Sequence, residues 1–439
     1  MILFSYTKTP RLQYIADFIG KEISGKIFTI TSDVAVFKES KEAKINYSNE
    51  RIADDEFWIN PHSLLFESNV LPQELTCFLW NDKKAFFKTG GDFPFDIFAA
   101  CFYLLSRYEE YLPHQKDMYG RYAYENSLAY KENFLTQPLV NNWLYHFELA
   151  LKEKFSTLTI QYSTFTFLPT YDIDMAWSYK HKGSWRNTGG IIKSFFTGNW
   201  KQLKERSNVL KGKQKDPFDA YGWMNQLHEK YKLKPYYFFL VAEKKGKYDK
   251  NISPGEKVMQ DLIHDHVIRY PVGLHPSWQS GDDVSLLKKE IEIISKFTGS
   301  KVQSSRQHYI RFTLPESFQQ LLNNGIRFDF LWVMAVSMGS GLLFVHHFIG
   351  MICKMKNKRN FYFSLSVLWK QILFMNRNIL HNKHEEMKHY YNEVKSVNGT
   401  FIMIWHNSFL GTDREFAGWR EVYEEFLKEV SSQTSPSLS

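Results

Sequence analysis

From about Ser163 onward the sequence repeats one unit of strand, loop and helix, and this rhythm limits the fold more than any other feature. "TFTFLPTYDID", "KPYYFFLVAE", "RYPVGLHPSW", "YIRFTLP", "IRFDF" and "TFIMIWHNSF" are strand-like runs rich in β-branched and aromatic residues. Between them, "DPFDAYGWMNQLHEKYK" and "DVSLLKKEIEIISKF" carry apolar residues at helical spacing, and "PESFQQLLNNG" reads as a Pro-led helix with a Gly stop. Such alternation predicts parallel strands joined by crossover helices, in an open α/β sheet or a barrel. In both, chemistry collects at the C-terminal ends of the strands.

The preceding residues, 1–160, read as a smaller α/β unit of their own. "MILFSY" and "KIFTI" look like short strands around the helical "PRLQYIADFIGKEI". In "FPFDIFAACFYLLSRYEEYL", Phe95, Phe98, Ala99, Phe102 and Leu105 form a stripe expected to pack in a core, and Arg107, Glu109 and Glu110 a solvated tip or, alternatively, a contact between domains. The chain has 439 residues, 44 % hydrophobic and 17 % aromatic, a globular composition. Its 3 cysteines, Cys77, Cys101 and Cys353, fit no disulfide framework. The opening "MILFSY" is too short for a signal-peptide core, so a reducing, cytoplasmic setting is expected. The net charge is +8, but no Asp or Glu occurs from Phe330 to His384 and the excess lies there. A basic groove spread over a domain is missing, and a nucleic-acid partner is not expected. Residues 431–439 read as a disordered tail.

The predicted strand ends carry the informative residues. Asp172 and Asp174 close the first and, with period two, point to one side. Two adjacent carboxylates call for a shared cation, a proton to move, or a solvated strand end. Later ends bring His275 in "GLHPSW", Arg311 in "YIRFTLP", Asp329 in "RFDF" and His406 in "IMIWHN". Singly, each has an ordinary explanation as a hydrogen-bonder or ion-pair partner. Together on one rim, carboxylates and imidazoles are the ligand set of a borderline divalent metal and can also supply a base and an acid.

In this order the motifs resemble those of the polysaccharide deacetylases, metal-dependent esterases and amidases of acetylated glycans. "TYDID" is similar to that family's Thr-Phe-Asp-Asp with one residue inserted, and "IMIWH" to its last motif. The resemblance implies a distorted (β/α) barrel, Asp172 as general base, and Asp174 and His275 as ligands to a divalent metal, most simply Zn2+. It further implies His406 as general acid and Arg311 as the residue orienting Asp172. It implies a glycan substrate losing N- or O-acetyl groups, with Trp278, Trp405 and Tyr171 either stacking on sugar rings or packing in the core. The family's second metal histidine would fall at Gln279, a poor ligand, so another residue such as His308 must complete the site if a metal is held. The alternatives are an inactive carbohydrate-binding relative, and a glycosyltransferase using Asp172 and Asp174 as its Asp-x-Asp motif.

Leu331 to Cys353 contain no formal charge and are followed by "KMKNKR". Length and flank match a membrane span, yet a span there would part the Asp172 and His406 strands. The preferred reading is a shifted reading frame across 330–384. Joining the last base of each codon to the next two lets Leu331–Ala335 read Met-Gly-Tyr-Gly, and acidic residues reappear downstream. A membrane partner is therefore not expected.

Overall fold

The computed structural model describes residues 1–161, 164–332, 348–349, 362–365 and 377–432. Near the N-terminus, β1 (Ile2–Phe4), β2 (Thr29–Thr31), β3 (Lys44–Tyr47) and β4 (Glu56–Ile59) form a parallel sheet in the order β2-β1-β3-β4. The helix Pro10–Ser24 starts where the Thr9 hydroxyl accepts the Leu12 N–H, and it ends at Gly25 with φ 69°. A hairpin joins β5 (Phe78–Trp80) to β6 (Lys83–Ala85) through Asn81 and Asp82, both left-handed as a two-residue turn requires.

The aromatic stripe behaves as expected: the helix Ile97–Leu105 is buried along its whole length. Its cap, Asp96, accepts from the Ala99 N–H, the His62 N–H and the Tyr47 hydroxyl. Burial lifts the Asp96 pKa to about 6 against those hydrogen bonds. The charged end is not a solvated tip but the alternative, a contact between the two regions. Arg107 and Glu110 form a largely buried pair, and the guanidinium lies 5.8 Å from the Phe312 ring of the second sheet region. The two regions share one continuous hydrophobic core.

The second sheet contains β7 (Thr166–Ile173), β8 (Tyr236–Phe239), β9 (Val272–Leu274), β10 (Ser304–Ser305), β11 (Phe328–Trp332), β12 (Phe348–Ile349), β13 (Tyr362–Leu365) and β14 (Thr400–His406). Their order is β12-β13-β11-β10-β9-β8-β7-β14, parallel except for β12 against β13. The run from β14 to β11 makes a curled α/β half-barrel. Among the described residues the sheet keeps β12 and β14 as edges, in keeping with the distorted (β/α) barrel expected from the sequence. Inside the curl lie Phe238, Phe330 and Ile402, with Leu168 and Tyr236 against them. On the outer face Tyr171, Tyr237, Phe401 and Trp405 pack under the crossover helices, in the alternation that strands impose. The expected strand "YIRFTLP" is a turn instead: Tyr309 and Ile310 have φ 56° and 55°. The actual strand is the two-residue β10 upstream. The helix Trp419–Ser432 takes up the start of the expected tail, and 433–439 lie outside the described residues.

Among the described residues no helix is long and apolar enough to cross a membrane. Most of the apolar stretch 331–353 lies outside them, and so does most of the rest of the shifted-frame reading up to residue 376.

Behind β7 the His228 Nε2 meets the Tyr171 hydroxyl at 2.8 Å, and Tyr171 meets Tyr423 at 2.8 Å. Burial lowers the His228 pKa to about 3, and the neighbouring His266 adds to the fall. A histidine depressed in the fold gives stability above its unfolded pKa near 6.5 and loses it as pH falls toward the folded value, by up to about 1.4 kcal/mol per pH unit. Urea unfolding of His228→Gln should therefore lose about 2 kcal/mol less than wild type between pH 7 and pH 5. The same pH dependence in both proteins would contradict this.

Candidate metal centre

Strand pairing gathers the site. In the β14–β7 register Trp405 lies beside Tyr171 and His406 beside Asp172. The segments beyond the neighbouring short strands stay laddered: the His275 N–H donates to the Phe239 carbonyl at 2.9 Å, the Arg306 N–H to Leu274 at 3.0 Å and the His308 N–H to Pro276 at 3.0 Å. Asn251 spans the first two ends, donating to the Ile173 and Leu240 carbonyls. His275, Arg306 and His308 thus leave the sheet on one rim with Asp172, Asp174 and His406.

Asp174 is at the centre. Its Oδ1 is 3.1 Å from His275 Nε2, and its Oδ2 is 3.5 Å from His308 Nε2 and 3.2 Å from His406 Nε2. The hydrogen-bond partners behind the imidazoles fix their tautomers. His275 Nδ1 faces the Arg306 carbonyl, which can only accept. His308 Nδ1 faces the Asp249 carboxylate at 2.8 Å. Both Nδ1 atoms therefore carry hydrogen, and each neutral imidazole turns its Nε2 lone pair toward the lone pairs of Asp174. Such pairs repel unless a positive charge sits between them, and Asp174 Oδ1 is buried without a hydrogen bond. Protons on the imidazoles supply that charge in the metal-free chain, and a divalent cation can replace them. The ligand atoms of Asp174, His275 and His308 lie within 4.8 Å of one another. One carboxylate and two inward imidazoles fit zinc, and three protein ligands are the number of catalytic zinc sites.

Charge follows the same geometry. Burial works against ionised Asp174, yet the His308 and His406 charges and the His275 contact hold its pKa well below the usual carboxylate range. Burial also opposes charge on His308, but Asp174 and Asp249 outweigh it and raise the pKa to about 9. His406 is raised in the same way by Asp174.

His308, not Gln279, is the third ligand candidate, reaching the cluster from beyond β10. Gln279 opens a short turn and lies outside the cluster. The arginine on Asp172 is Arg306, whose Nη1 donates to Asp172 Oδ1 at 2.8 Å with both groups buried. Its guanidinium also covers the Phe238 ring at 4.6 Å. Arg311 does not orient Asp172. It grips exposed Asp282 at 2.6 Å and stacks on Trp278 at 3.9 Å, because the strand preceding it ends at Ser305. Tyr171 and Trp405 are buried on the outer face and cannot stack on a substrate. Side chains alternate, so neighbours of the inward Asp172 and His406 must point away. Trp278 is half-buried on the rim beside Tyr248. Asp329 faces Ser305 rather than the cluster. Asp249, in the loop after β8, carries no signal in the sequence, because nothing in "KYDKN" marks it as the partner of a distant histidine.

A family model described as a family of unknown function (DUF7033) matches residues 1–156. No curated protein matches the chain. Among solved structures, a protein provisionally named a polysaccharide deacetylase from Mycobacterium smegmatis is similar at 10 % identity, over 62 % of this chain and 86 % of that one, with a TM-score of 0.39. The allantoinase PuuE is similar at 9 % identity over 61 % and 84 %, with a TM-score of 0.38. A mutant of a CE4 family pseudoenzyme with restored enzymatic activity is similar at 11 % identity over 64 % and 69 %, with a TM-score of 0.30. No chemistry follows from likenesses of this size.

Calorimetric titration with zinc should show one site in wild type and in Gln279→Ala, weakened at least about tenfold in Asp174→Ala, His275→Ala and His308→Ala. Full affinity in His308→Ala would remove it from the site. Arg306→Met should cost about 3–5 kcal/mol of stability, because it leaves Asp172 buried without its partner. Arg311→Met on the rim should cost about 1 kcal/mol or less. Equal urea midpoints for the two variants would contradict this.

Proposed function

We propose that the chain is a metal-dependent hydrolase that removes N- or O-acetyl groups from a glycan. The observation that carries this reading is the division of labour between two adjacent aspartates. Asp174 faces three imidazoles, whereas Asp172 is tied at one oxygen to Arg306 and has its other oxygen 4.0 Å from His275 Nε2. The motif order noted in the sequence supports the same reading.

A divalent cation held by Asp174, His275 and His308 would supply Lewis-acid polarisation of the acetyl carbonyl. Arg306 holds the Asp172 carboxylate in place, so that its free oxygen can take a proton from an attacking water. His406 stands across the β14–β7 pair from Asp172. Its Nε2 can deliver a proton to the departing nitrogen or oxygen as the acyl bond breaks. Base and acid therefore sit side by side on neighbouring strands, with Asp174 against His406. Asp174 and His406 are each about a quarter exposed, so the cluster opens to solvent on their side.

The test is acetate release from N-acetylglucosamine oligomers and from O-acetylated xylan by the zinc-loaded protein. Asp172→Asn and His406→Gln should each lower the rate about a hundred- to ten-thousand-fold while zinc stays bound to Asp172→Asn. The transferase alternative makes no use of the histidines. Nucleotide-sugar transfer that persists in His275→Ala and His406→Ala would support that reading instead.

A further inference from the structure

The helices Ser184–Phe196 and Trp200–Leu210 form a hairpin that follows β7, leaving the sheet at the same strand end as Asp172 and Asp174. The first helix is amphipathic the wrong way round. Its polar side is the attached one: the Asn187 amide donates to the Tyr179 carbonyl at 3.0 Å, Ser194 to Gln202 at 2.9 Å, and Arg206 to the Asn187 carbonyl at 3.0 Å. Gly190 leaves room for the Arg206 guanidinium, which any side chain there would strike. The opposite side carries Trp185, Ile192, Phe195 and Phe196, exposed by 90 %, 50 %, 56 % and 82 %, and the second helix adds Trp200 at 59 %. Phe195 lies edge-on to Trp200 with ring centres 5.3 Å apart, making one patch at the tip of the hairpin. Ordinary surface helices bury the apolar side and expose the polar one.

The charge around the patch says what covers it. From Ser178 to Lys215 the chain has ten Lys or Arg and a single acid, Glu205. Glu205 is engaged by the Tyr179 hydroxyl at 2.9 Å. Lys193, Lys201, Lys204, Lys211 and Lys213 are exposed, and no ion pair to them is found among the described residues. Tryptophan and phenylalanine flanked by unpaired lysines is the composition of a helix lying in a bilayer interface, with rings at the headgroup level and ammonium groups on anionic phosphates. A second copy of the chain would bring the same excess of positive charge against itself. We infer that this hairpin docks the protein on the surface of an anionic lipid bilayer without crossing it.

The test is cosedimentation of the full chain with vesicles of phosphatidylglycerol and phosphatidylcholine in equal parts, beside vesicles of phosphatidylcholine alone. Wild type should bind the anionic vesicles at least about tenfold more tightly, and less so as salt is raised. Trp185→Ser, Phe196→Ser and Trp200→Ser combined should reduce that binding by at least about tenfold, and Lys201→Glu with Lys204→Glu should reduce it independently. These side chains are exposed, so zinc titration should be unchanged and should show that the fold is intact. Equal vesicle binding by wild type and variants would overturn the inference. So would no binding by wild type, or a dimer seen by light scattering without lipid that the triple substitution abolishes.

Discussion

Everything at the strand ends depends on the charge of Asp174. A carboxylate facing three imidazoles, two of which have their other nitrogen committed elsewhere, cannot be left as a set of neutral groups, because the lone pairs of those two would then confront its own. Some cation has to be present, and the fold spends considerable structure on the requirement. The Arg306 carbonyl and Asp249 hold two of the rings in one orientation. The backbone N–H of Trp278 in turn donates to Asp249 at 2.9 Å and keeps that carboxylate in place. A buried network of this kind is stable only when complete, so its members stand or fall together.

The half-barrel turns this local demand into a site. Parallel pairing brings β14, β7, β8, β9 and β10 to one rim in register; β14 and β7 contribute His406 and Asp172 from their last residues, and β7, β9 and β10 contribute Asp174, His275 and Arg306 just beyond. Alternation then sorts the side chains. Asp172 and His406 point into the curl, whereas Tyr171 and Trp405 go to the helix layer, where Trp405 meets Tyr423 with ring centres 4.7 Å apart. The N-terminal region reaches the same rim. The Arg121 guanidinium donates to the Tyr309 carbonyl at 3.0 Å, and Tyr309 is the left-handed residue that follows His308. A segment outside the half-barrel thus helps to hold the turn beside a ligand.

Much of this was legible in the sequence, and the failures have particular causes. The α/β rhythm, Asp172, Asp174, His275 and His406 were visible because apolar runs ending on polar residues mark strand ends directly. Arg306 was missed in favour of Arg311 because β10 has two residues, too few to leave a pattern, and the apolar "YIRF" after it imitates a strand. His308 was visible only as a substitute for Gln279, since a ligand supplied by a different strand has no fixed spacing from the first. Tyr171 and Trp405 stayed open between stacking and core packing, although the alternation that places the aspartates inward already sends their neighbours to the core. The hairpin after Asp174 was overlooked because its apolar side faces outward, so its helical pattern alone would have suggested one more core helix.

The central claim is that Asp174, His275 and His308 hold a divalent ion. X-ray absorption spectroscopy of the zinc-loaded protein tests it most directly. The account predicts a shell of nitrogen and oxygen at about 2.0–2.1 Å with the outer-ring scattering of two imidazoles. A shell of oxygen alone, or one containing sulfur at about 2.3 Å, would contradict it.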